Sequence, residues 1–169
     1  MSFIATLSIL DALKAHLTAL EISAGVAAFQ AVEYYSQPRL IQALQDLRVH
    51  KNRVCLIVPD DEVFENELSG RILITRRTKQ VIILLADRQV GRRQDASTGN
   101  DSGTYGVETL GFCAMDELTG LSLGLAGCRI RPTSAGPVTI EGTDREKATG
   151  REAWRIELDI EAGIKKTTL

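Results

Sequence analysis

The sequence predicts an α+β fold: one domain over residues 1–169, a mainly antiparallel sheet, about three flanking helices and a long flexible loop. Three observations predict it. Apolar residues near the N-terminus recur at helical spacing, two apolar runs in the middle are paired like a hairpin, and a strict apolar–polar alternation closes the chain. The composition agrees, with 44% hydrophobic and 25% charged residues, and a chain of this length buries a core without metal or disulfide staples.

Ile4, Leu7, Leu10, Leu13, Leu17 and Leu20 step by three and four, which makes one face of a first helix apolar, and Gly25 ends or follows it. Residues 26–35 fit a strand or a helix, and Tyr34 and Tyr35 favour the strand. Pro38 suits a first helical position, and Leu40, Ile41, Leu44 and Leu47 then give a short second helix to about Val49. Val54 to Val58 is a five-residue apolar run stopped by Pro59, read as a buried strand. An acidic loop is expected over residues 60–67.

Two strands follow, Arg71 to Thr75 and Val81 to Ala86, joined by a basic turn at residues 76–80. The second run is apolar on both faces and belongs inside the sheet. Residues 87–106 have no hydrophobic period and are rich in Gly, Asp, Asn and Ser, so a long loop that orders on meeting a partner is expected there. Val107, Leu110, Ala114, Leu118 and Leu121 place a third helix over 107–119. Val138 and Ile140 form a short run, Gly142 to Gly150 a charged turn, and Trp154, Ile156, Leu158 and Ile160 alternate with Arg155, Glu157, Asp159 and Glu161 in the clearest strand of the chain.

Several function classes fall away on composition and motif. Twenty basic against twenty-two acidic residues leave a net charge of −2, so no overall charge draws the protein to nucleic acid or to an anionic membrane. The longest apolar run, Val81 to Ala86, is far too short to span a bilayer, and no signal peptide is expected at the N-terminus. Cys55, Cys113 and Cys128 are odd in number and lack metal spacing, which suits free thiols in a reducing cytoplasm. Neither His16 nor His50 has a ligand-spaced neighbour, and Asp60, Asp61, Glu62, Glu65 and Glu67 lack the alternation and central glycine of a calcium loop. Asp95, Asn100 and Asp101 give the same answer, and no phosphate-cradling glycine motif is present. No cofactor or metal is therefore expected.

Gly120-Leu121-Ser122-Leu123-Gly124 matches the nucleophile-elbow pattern of serine hydrolases. It follows a helical pattern where the elbow needs a strand, and both histidines precede it, so a glycine-rich helix terminus is the plainer reading. The charge arrangement says more. Asp60, Asp61 and Glu62 in the acidic stretch precede a basic hairpin with Arg71, Arg76, Arg77 and Lys79, and Arg88, Arg92 and Arg93 follow it. Solvated surface is the default for such runs, but separate patches of opposite sign also suit head-to-tail contacts between copies.

The order of elements, with RLIQALQDL leading into VCLIVPDDE, the RILITRR-to-VIILLADR hairpin and the closing GREAWRIELDIEAG strand, resembles the tail terminator and tail-completion proteins of long-tailed bacteriophages. The resemblance implies a non-enzymatic virion protein, assembled in the host cytoplasm, that forms a homo-hexameric ring on the tail tube. It implies the tail tube protein and a head-completion or neck protein as partners, with DNA passing through the lumen unbound and no membrane. The acidic and basic residues just named are then the candidate subunit or tube interface. Another neck or baseplate subunit (head-closure or stopper), a small hydrolase using Ser122, and a cytoplasmic adaptor with a binding loop are the alternatives.

Overall fold

The computed structural model describes residues 3–34, 53–88, 105–138 and 151–168. In chain order these form α1 (Thr6–Ala19), β1 (Glu21–Ser23), β2 (Val26–Ala27), β3 (Ala31–Tyr34), β4 (Val54–Ser69), β5 (Ile72–Arg88), α2 (Gly106–Leu118), β6 (Cys128–Val138) and β7 (Arg151–Thr168). The chain is a single α+β domain, as its sequence predicts, with two helices among the described residues. The short helix predicted after Pro38, most of the 87–106 loop and the 142–150 turn lie outside the described residues.

The main sheet runs β3-β4-β5-β7-β6, parallel between β3 and β4 and antiparallel elsewhere. A parallel pair requires a crossover, usually a helix, and the chain between Tyr34 and Val54 is where the sequence predicts one. Period-two alternation divides the sheet's side chains between two apolar layers. Cys55, Ile57, Val81, Ile83, Leu85, Ile156, Leu158 and Ile160 pack with Ile9, Leu13 and Leu17 of α1 and with Leu110, Ala114 and Leu118 of α2. Val54, Leu56, Val58, Ile82, Leu84, Ala86 and Ala153 form the second layer, which explains why both central runs are apolar throughout.

Three elements depart from the sequence reading. Pro59 does not stop β4: it pairs with Val81, and the strand continues to Ser69 through a bulge between Pro59 and Glu62. β3 pairs with β4 only as far as Ile57, so at Pro59 β4 is an edge strand among the described residues, where a proline is tolerated. The basic segment 76–80 is not a turn. β5 runs unbroken from Ile72 to Arg88, and the hairpin closes instead at Gly70-Arg71, with Ser69 paired to Ile72 and Gly70 at φ +62°. A single positive φ at the first central position is the type II′ pattern, for which glycine is the natural residue.

β6 starts ten residues before the predicted Val138 run and carries Pro132 and Pro137. Its place at the sheet edge is what tolerates them. The start of that edge is not bare: Ile130 N–H donates to the Leu121 carbonyl, and Gly120 N–H to that of Ile130. Neither described helix is long and apolar enough to cross a membrane.

Candidate functional site

The strands outrun the helices. From Glu62–Ser69 on β4, Ile72–Lys79 on β5 and Glu161–Thr168 on β7, a three-stranded arm extends the sheet beyond its core. Eight residues at about 3.3 Å each make it about 26 Å long. Two bulges mark its base. Asp60 and Asp61 together oppose Gln80, and Ala162 and Gly163 together oppose Arg77, with Gly163 at φ +100°. Bulges add twist and turn side chains, so the arm leaves the core at an altered angle.

At this base the structure gathers part of the predicted interface and buries it. Arg77 clasps Glu62 with two bonds, Nη2 to Oε1 at 2.6 Å and Nε to Oε2 at 3.2 Å. It also donates to Thr6 Oγ1 and to the Ile4 carbonyl, which ties the entry of α1 to the arm. Lys79 Nζ lies 3.7 Å from Glu62 Oε1 and donates to the Asp60 carbonyl. Arg77 and Lys79 are 8% and 6% exposed, so they are internal struts and not the tip of a basic hairpin. The Arg77 hydrogen bond is the main reason the Glu62 carboxyl sits below the usual carboxylate range; the Thr6 bond and the charges of Arg77 and Lys79 add to it, against partial burial.

The remaining predicted residues scatter. Residues 60–67 form strand, not an acidic loop, with Asp61 exposed in the bulge. Arg71 sits in the exposed hairpin turn, and Arg76 faces Glu67 at 3.7 Å on the open arm. Arg88 ends β5 opposite Arg151, while Arg92 and Arg93 lie outside the described residues.

What sequence reasoning missed is apolar. Six large apolar side chains are exposed among the described residues, and Val63, Phe64, Leu68 and Ile72 all belong to the arm. Pairing places Phe64, Leu68 and Leu73 on the face that bears the helices nearer the core, with Leu68 opposite Leu73, Lys165 opposite Thr75, and Phe3 edge-on to Phe64 at 5.9 Å. Val63, Ile72, Ile74 and Ile164 fall on the other face. The available signal was Ser69-Gly70, a turn dipeptide that would have paired 62–69 with 72–79 and revealed the alternation.

The fifth and sixth exposed residues are Phe112 on α2 and Leu7 on α1. Phe112 leans on Trp154 with centroids 6.2 Å apart, and Gly111 beside it leaves room for the indole. The exposed side of α2 around Phe112 carries Asp116 and Glu117 and no cation in the last turn. A cleft of about 790 Å³ opens at the arm's base, lined among others by Glu65, Arg76, Arg129, Arg131 and Glu161. Its charges largely answer one another, Arg131 lying 3.9 Å from Glu161.

No family model matches this chain, and no curated protein matches it.

The chemical candidates find no machinery among the described residues. Ser122 lies in the helix-to-strand connection from α2 to β6, the reverse of an elbow, between Gly120 and Gly124 at φ +75° and +68°. His16 sits in the last turn of α1, and no group of three His, Cys, Asp or Glu among the described residues is arranged to hold a metal ion. Burial raises the thiol pKa of Cys55 far above its ordinary value, and burial followed by nearby carboxylates raises those of Cys113 and Cys128. None of the three is an activated nucleophile.

Proposed function

We propose that the protein is a structural subunit of a bacteriophage-type virion, a tail terminator. In this reading six copies close a ring on the head-proximal end of the tail tube, stop its growth and join it to a head-completion or neck protein. The observation that carries the reading is the arm. Its exposed apolar residues, Val63, Phe64, Leu68 and Ile72, are covered by no helix among the described residues, and exposed apolar surface on a rigid element marks a place of assembly. The order of helix, strand pair, helix and closing hairpin supports it, as does the net charge of −2, which leaves a DNA-passing lumen without a general grip on phosphate. The role requires no catalysis and no cofactor.

The test is negative-stain imaging, with light-scattering mass across a concentration series, with and without assembled tail tubes. Sixfold rings, alone or on tube ends, are the expected result. Rings that join necks but ignore tubes point to a head-closure or stopper subunit instead. A strict monomer under both conditions overturns the reading.

A further inference from the structure

Two surface features of the chain are complementary to each other and cannot meet within one molecule. The outer part of the arm, residues 66–75 and 165–168, carries Arg71, Lys165 and Lys166 against Glu67 alone, around the apolar pair Leu68 and Leu73. Helix α2 carries Glu108, Asp116 and Glu117 and no cation, around the exposed Phe112. Asp116 and Glu117 stand at the helix C-terminus, the negative end of its dipole, and make no ion pair among the described residues. Carboxylates in that position weaken an isolated helix and suit one that meets a cation from outside. Within the chain, α2 packs over the core portions of β5, β6 and β7, while the arm tip extends past the end of the core.

We infer that the arm of one copy docks on α2 of the next, Phe112 seating among Phe64, Leu68 and Leu73 while Asp116 and Glu117 face Lys165 and Arg71. Resting on the ring reading above, the inference names the surfaces that make the ring. The contact is heterologous: each copy offers an arm at one end and a helix at the other, so copies join head to tail and close when the rotation permits. Face-to-face pairing of two arms is the competing arrangement, and it sets the tip cations of one copy against those of the other. Phe64 and Leu68 on that face of the arm, with Phe112 on the helix, are three of the six large apolar side chains exposed among the described residues, and this one contact covers all three.

The experiment is sedimentation velocity on the full chain, with Leu68→Asp as the arm variant and Asp116→Lys/Glu117→Lys as the helix variant. All of these positions are exposed, and circular dichroism and thermal melting are to check the fold of each variant. Each variant alone should need at least about tenfold more protein to associate than wild type. Mixed together, they should form a two-chain species and nothing larger, because one intact arm and one intact helix remain. Adding Arg71→Glu/Lys165→Glu to the helix variant should restore association. If wild type forms rings and the helix variant forms them equally well, this contact is wrong and the ring reading stands. If wild type never associates, with or without tail tubes, both fall.

Discussion

At the scale of single residues, the most consequential group is Glu62. Two buried cations converge on one carboxylate, and that carboxylate also accepts from Thr6, so the base of the arm and the start of α1 depend on its charge. Its pKa is lowered on folding, so the stability it contributes is present above the ordinary carboxylate range and is lost as pH falls through the folded value. Urea midpoints measured from pH 7 to pH 3 should therefore fall for wild type, and fall less steeply for Glu62→Gln, which starts lower at pH 7. Arg77→Met should cost about 2 kcal/mol in the same assay, because it strips a partly buried carboxylate of its main partner. Gly111 is a second sensitive residue. A Cβ there would stand 2.8 Å from Trp154 Cδ1, so Gly111→Ala should destabilise by about 1–3 kcal/mol even though alanine is the better helix former. A gain in stability would mean that the indole yields freely.

At the scale of elements, the legible ones were those whose pattern is local. The spacing of Leu10, Leu13 and Leu17 gave away α1, Leu110, Ala114 and Leu118 gave away α2, and Trp154 to Ile160 gave away the core of β7. The arm was not legible. Its outer strands have no face covered by a described helix, so hydrophobicity there does not alternate with burial, and Pro59 and the charges at 76–80 imitate a strand end and a turn. β6 was hidden for a related reason, since Pro132 and Pro137 argue against a strand unless it is known to lie at an edge. The bulge at Gly163 is a testable joint. With φ at +100° it disfavours any side chain, so Gly163→Ala should cost about 1–3 kcal/mol in urea unfolding. A cost near zero would show that the bulge relaxes.

At the scale of the whole molecule, the core and the arm have separable tasks. Two apolar layers stabilise the body, while the outer arm adds strand pairing and exposed apolar surface without entering either layer. Replacing residues 66–75 with a two-residue Asn-Gly turn should leave circular dichroism and the melting transition of the core nearly intact and abolish self-association. Loss of the melting transition would instead make the arm part of the folding unit. The sequence by itself determined the α+β class, both described helices and the buried central strands, because each rests on a periodicity repeated within one segment. Only the tertiary structure decided that Arg77 and Lys79 are internal struts, that Glu62 belongs with them, and that Phe64, Leu68 and Phe112 are left uncovered. Whether a charge is solvated or a phenylalanine is buried depends on where neighbouring strands end relative to the helices. That follows from strand register and sheet order, which are set between segments distant in the chain.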